Sequence, residues 1–250
     1  MREIEEVLVT DVAGFIEELV PPTGFRRFPV YRGLPSRSGM ILPSLLREDL
    51  SDTEFKSWQQ LEAAYLMRLK ELSRTQIEAH CELEWMRQGH RFGLPTRLSS
   101  WTTNGLIALF EATAATADDE DGVVFRVLPG RSDWVISQDY EQLPDRPRLY
   151  VSPVQSDHPM ERDECYLVHP IPEGASAPVD FETWYLNSEE NLHVSKITVS
   201  AEMKGWIRDQ LARMSVSARS LKPGMRGICE QIRDDVHRST DSYDWMLPGA

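Results

Sequence analysis

Two arginines, a run of hydroxyls and a choice of carboxylates are the residues of this chain whose types and spacing could do chemistry. Arg32 is the middle residue of Tyr31-Arg32-Gly33. Arg97 follows Thr96 in the stretch HRFGLPTRLSSWTTNGLIALFEATAA, which runs from His90 to Ala115 and also holds Trp101, Thr102 and Thr103. Glu161 and Glu164 come later. Guanidinium groups grip phosphate oxygens two at a time, hydroxyls bind a sugar, and a tryptophan or tyrosine face stacks on a nicotinamide or base. The set suits a nucleotide. His90 is a candidate general base or ligand contact, although an isolated histidine is more often a satisfied structural residue. There is no P-loop, no dinucleotide-binding glycine fingerprint and no nucleophile elbow, and the Cys and His residues lack metal-type spacing, so no metal is expected.

These side chains need elements to carry them. Gly93, Leu94 and Pro95 form a turn, Thr96 to Thr102 a strand, and Asn104 to Ala115 a helix with Asn104 as its N-cap. Such a junction offers free backbone N–H groups and partial positive charge to an anion, with Arg97 beside it. A buried strand followed by an amphipathic helix is equally what any α/β core contains. Phe28 to Gly33 is a second strand and delivers Arg32, which must find a carboxylate, backbone carbonyls or a ligand phosphate. Val123 to Leu128, Cys165 to His169 and His193 to Val199 are further strands, and residues 2–9 are a short helix or strand. Helices are expected from Asp11 to Val20, over most of Ser51 to Glu84 with Ser51 or Asp52 as cap, from Gln76 through Met86, over Ala201 to Met214 and over Met225 to Val236. Residues 143–158 are loop-rich around a short apolar run, Leu149 to Val151, residues 174–191 are a surface loop, and the tail from Ser239 is frayed, with Trp245 and Leu247 free to dock. The pattern is α+β: a mixed or antiparallel sheet with packed helices, in three parts, an N-terminal helical extension at 1–24, a main domain at 25–236 and a tail at 237–250.

With 250 residues the chain can bury a substantial core. Forty acidic against 27 basic residues give a net charge of −13, which disfavours a broad grip on nucleic acid while leaving room for a local basic cleft. Cys81, Cys165 and Cys229 are odd in number and far apart, as in a reduced, cytoplasmic protein. No segment reaches the roughly 20 apolar residues of a membrane span, and the acidic start is no signal peptide.

GLPTRLSSWTTNGLIALFEA resembles the central signature of the FRG domain family, in which a Gly, Pro-Thr-Arg-Leu, Asp-Trp-Thr and an Ala-Leu-aromatic helix follow at this spacing. Tyr31-Arg32-Gly33, followed by Leu42-Pro43-Ser44-Leu45-Leu46-Arg47, is similar to the aromatic-Arg-Gly motif that names the family and the segment after it, and Ser220-Leu221-Lys222-Pro223 resembles its closing segment. The chain departs from the pattern where His90 and Arg91 replace a Gln-His pair, where Ser100 replaces the Asp before Trp, and where Gly105 replaces a Pro. Any role of that Asp, as an arginine partner or a catalytic group, does not carry over unaltered.

The order of parts is also similar to the layout of the ADP-ribosyltransferase fold of the Arg-Ser-Glu type. On that layout Arg32 holds NAD phosphate or ribose, Thr102 or Thr103 takes the middle position, and Glu161 or Glu164 offsets positive charge growing on the ribose as nicotinamide leaves; Arg32, Thr102 and Glu164 are the catalytic candidates, with Tyr31, His90, Thr96, Arg97 and Trp101 against the ligand. NAD is then a substrate. The alternatives are a module that binds a nucleotide or a protein without chemistry, and an interaction protein in a toxin-antitoxin or phage-defence pair.

Overall fold

The computed structural model describes residues 2–19, 28–73, 79, 81–114, 120–130, 133–135, 144–152, 163–172, 177–190, 192–222 and 224–238. Its strands are β1 (Glu5–Val9), β2 (Val30–Leu34), β3 (Leu98–Thr102), β4 (Gly122–Leu128), β5 (Trp134–Val135), β6 (Arg148–Tyr150), β7 (Glu164–Val168) and β8 (His193–Val199). The helices are α1 (Val12–Leu19), α2 (Trp58–Leu72), α3 (Glu82–Arg91), α4 (Gly105–Ala112), α5 (Phe181–Asn187), α6 (Lys204–Arg213), α7 (Ala218–Leu221) and α8 (Met225–Arg238). All eight strands join one sheet in the order β1-β8-β4-β2-β3-β7-β6-β5. β1 runs parallel to β8 and β5 to β6, while the central pairings are antiparallel. This is a mixed sheet with packed helices.

Local chemistry sets several boundaries. The Asn104 side chain accepts from the Leu106 N–H at 3.1 Å and starts α4, and the Asp11 carboxylate accepts from the Gly14 N–H at 2.8 Å at the start of α1. Gly93, at φ +88°, takes the turn between α3 and the residues leading to β3. Two glycines let α4 lie directly on the sheet. A Cβ at Gly33 would stand 1.9 Å from the Ala108 carbonyl oxygen, and one at Gly122 would stand 2.1 Å from that of Ala112.

One face of the sheet packs on α1, α4, α6 and α7 through Phe15, Ile107, Ile207, Leu211 and Leu221 against Tyr31, Val124 and Ile197. The opposite face meets α5, where Phe181 and Tyr185 pack with Trp101, Phe125 and Leu167. A third cluster seats Leu66 of α2 and Leu83 and Met86 of α3 on Leu98, Tyr166 and Val168. The N-terminal residues share this architecture, since β1 is a sheet strand and Val9, Val12 and Phe15 are core.

Three expectations are corrected. The long helix over Ser51 to Glu84 is broken: a 3-10 turn covers Leu50–Asp52, and α2 begins only after Ser57, whose hydroxyl accepts from the Gln60 N–H at 3.3 Å. Thr53 causes the break. Its hydroxyl donates to the Leu50 carbonyl at 3.0 Å and accepts from the Phe55 N–H at 3.3 Å, diverting the chain into a local turn. Part of the expected surface loop at 174–191 is α5, capped by Asp180 and anchored by buried Phe181 and Tyr185. The apolar run at Leu149 lies in a sheet strand, β6, paired with β7. Residues 239–250, with Trp245 and Leu247, together with Glu161, lie outside the described residues. No described helix is long and apolar enough to cross a membrane.

Candidate functional site

β2, β3 and β7 are neighbours, and their pairing decides which side chains converge. Ser100 stands opposite Tyr166 and Thr102 opposite Glu164, so these four share one face. β2 meets β3 at a single register pair, Tyr31 with Thr102. Arg32 follows, and its Nη1 donates to the Ser100 carbonyl at 2.7 Å. On this face, between the α2/α3 cluster and the α4/α7 cluster, a cavity of about 430 Å³ is lined by Arg32, His90, Ser100, Thr102, Glu111 and Glu164, with Lys222 and Arg226 at the α7–α8 junction. Arg91, Phe92, Ile107 and Leu221 complete its walls, and the strand edge at Trp101 borders it.

Four cations against two carboxylates line this space in a chain whose net charge is −13. A local excess of positive charge, with low-dielectric walls, concentrates anions. Glu230 offsets some of it: it bonds Lys222 and accepts from Arg226 Nε at 3.2 Å. Glu111 projects from α4, and its carboxyl is pushed above the usual range by burial, opposed by Arg32 and Lys222 and by the Gly33 N–H that it accepts. Glu164 accepts from the Tyr166 hydroxyl at 2.5 Å, which orients the carboxylate on its strand.

His90 ends α3. Its Nε2 is 2.9 Å from the Ser100 hydroxyl and its Nδ1 is 3.2 Å from the Thr96 hydroxyl, while its ring meets Tyr166 edge to face at 5.8 Å. Burial, reinforced by the charge on Arg32, pushes its pKa down to about 4. The imidazole is therefore neutral at pH 7.

Of the sequence candidates, Arg32, His90, Thr102 and Glu164 come together at the cavity. The others do not line it with their functional groups. Arg97 is 5% exposed and is gripped by Glu62 of α2, 3% exposed, with Nε at 2.7 Å and a second, shorter bond from Nη2. The backbone N–H of Arg97 also donates to Glu62, at 3.1 Å. An arginine so paired has no fork left for a phosphate. Thr96 is fully buried behind His90, and Tyr31 is a core residue. The Trp101 indole is 2% exposed on the other face of the sheet, edge to face with Phe181 at 5.5 Å and donating to the Ser99 hydroxyl at 3.3 Å, so it offers no stacking surface. Thr103 bonds the Asp163 carbonyl. Sequence reasoning missed Ser100 as a site residue, along with Glu111, Lys222 and Arg226. Glu111 had left a signal, as the sole charge in the apolar helix GLIALFEA.

Residues 28–121 match the family model described as FRG domain, and no curated protein and no solved structure matches the chain. The matched stretch holds Arg32, His90, Ser100, Thr102 and Glu111, whereas Glu164, Lys222 and Arg226 lie beyond it.

Proposed function

We propose, from the premise of an FRG domain at residues 28–121, that the cavity takes NAD and cleaves its nicotinamide–ribose bond, passing the ADP-ribosyl group to an acceptor or to water. One observation carries the reading: three adjacent strands supply a cation, a hydroxyl and a carboxylate to a single cavity, Arg32 from β2, Thr102 from β3 and Glu164 from β7. A volume of about 430 Å³ falls in the range of small-ligand pockets.

The chemistry needs each of them. As the C1′–N bond of the nicotinamide nucleotide breaks, its electron pair leaves with the ring, which becomes neutral, and positive charge grows on the ribose. Glu164, oriented by Tyr166, offsets that charge without a metal. Arg32 and Lys222 hold the pyrophosphate, and the Thr102 hydroxyl contacts the sugar. Burial of the reacting bond strengthens every one of these interactions.

A second reading, a module that binds the nucleotide without turnover, is favoured by Ser100 where the resembling pattern has an Asp. Purified protein incubated with NAD separates the two. Release of nicotinamide that is lost in Glu164→Gln supports the enzyme; thermal stabilisation by NAD with no release supports the module; a protein that shows neither release nor stabilisation has no NAD site.

A further inference from the structure

Ser100 sits in mid-strand on the cavity face of β3, half-buried, with its carbonyl occupied by Arg32 and its hydroxyl on His90. Thr96, behind the ring, is fully buried and its hydroxyl oxygen accepts from the Leu98 N–H at 3.4 Å. A proton on Nδ1, donated to the Thr96 oxygen at 3.2 Å, leaves Nε2 as an acceptor aimed at the Ser100 O–H at 2.9 Å. This is the geometry of a hydroxyl nucleophile beside a general base whose ring a third residue orients. The hydroxyl also belongs to the cavity that holds Arg32 and Glu164.

We propose that Ser100 is an internal acceptor of the ADP-ribosyl group, so that the site modifies and closes itself. The proposal rests on the NAD reading above. A bond forms between Ser100 Oγ and ribose C1′, and the C1′–N bond breaks with its electron pair leaving on nicotinamide. The hydroxyl proton passes to His90 Nε2, and no further reactant is needed. A fixed hydroxyl outcompetes water because its positional entropy is already lost on folding. The product, an ADP-ribosylated serine, fills the cavity and excludes a second NAD.

The test incubates the full chain with NAD and follows nicotinamide release alongside the intact mass and peptide map of the protein. The expected result is one ADP-ribose per chain, located on Ser100, resistant to hydroxylamine and formed with about one equivalent of nicotinamide. Ser100→Ala loses the adduct, and His90→Gln, checked for folding by its melting curve, forms it on the order of 100-fold more slowly. Nicotinamide release without an adduct overturns the proposal and leaves the NAD reading standing. So does a hydroxylamine-labile adduct on Glu111 or Glu164, or an adduct on Ser100 that His90→Gln forms at the wild-type rate. An absence of any release overturns both.

Discussion

His90 Nε2 lies 2.9 Å from Ser100 Oγ, and both residues occupy positions at which the chain departs from the FRG pattern it resembles. The two departures are one contact. A neutral hydroxyl faces a neutral imidazole where the resembled pattern has an Asp and a Gln. Ser100→Asp therefore puts a negative charge within reach of the ring and should raise the His90 pKa from about 4 by at least one unit, as an adjacent opposite charge does. Titration of the imidazole by NMR reads this directly; an unchanged pKa would show that the two side chains do not face each other.

The Arg97–Glu62 pair should behave as framework. Each partner is at most 5% exposed, so Glu62→Gln or Arg97→Ala strands a buried charge or acceptor and should cost about 3–5 kcal/mol in chemical denaturation. Arg97→Lys should recover little of that, since an ammonium cannot reproduce the fork. Turnover per folded molecule should stay at the wild-type value. A variant with native stability and altered turnover would return Arg97 to the site.

Acid stability should depend on His169. It is 2% exposed, its Nε2 lies 2.9 Å from the Ser99 hydroxyl, and burial pushes its pKa down to about 3. The unfolded chain protonates this histidine near pH 6.5, while the folded chain does so only near 3. Stability is therefore full above about 6.5 and is lost progressively as pH falls below it, by about 2 kcal/mol at pH 5 from this one residue. His90 adds to the same slope, and Glu111, whose pKa is raised, opposes it. The difference between wild type and His169→Gln isolates the contribution: the variant should lose less stability between pH 6.5 and 5. Parallel curves would contradict the assignment.

Gly33→Ala should displace α4 from β2. The new methyl would stand 1.9 Å from the Ala108 carbonyl oxygen, a backbone atom that cannot yield without moving the helix that carries Glu111. A loss of more than about 3 kcal/mol, or failure to fold, is expected in a denaturation series. A change under about 1 kcal/mol would mean that α4 slides freely on the sheet.

What the sequence made legible is what local chemistry decides. Asn104 caps α4 by its own side chain, and β4 is an apolar run interrupted only by Arg126, so both stand where the residues place them. The fate of Arg97 was not legible. It looks no different from Arg32 in the sequence, and only the packing of α2 against the chain entering β3 brings Glu62, 35 residues away, onto its guanidinium. The indole of Trp101 likewise faced either side of β3 until α5 supplied Phe181 on one of them. Lys222 and Arg226 reach the cavity because α7 and α8 return to the sheet more than 100 residues after β3, a relation no spacing rule records. The break before α2 came from Thr53, a residue that a periodicity reading passes over.

The central claim is that Arg32, Thr102 and Glu164 form one NAD-cleaving site, and nicotinamide release by wild type, Arg32→Ala and Glu164→Gln tests it most directly. Wild type should release nicotinamide, whereas both variants, with melting temperatures within a few degrees of wild type, should be slowed by about 100-fold or more. Release at the wild-type rate from Glu164→Gln, or no release from wild type under any condition, would contradict the account.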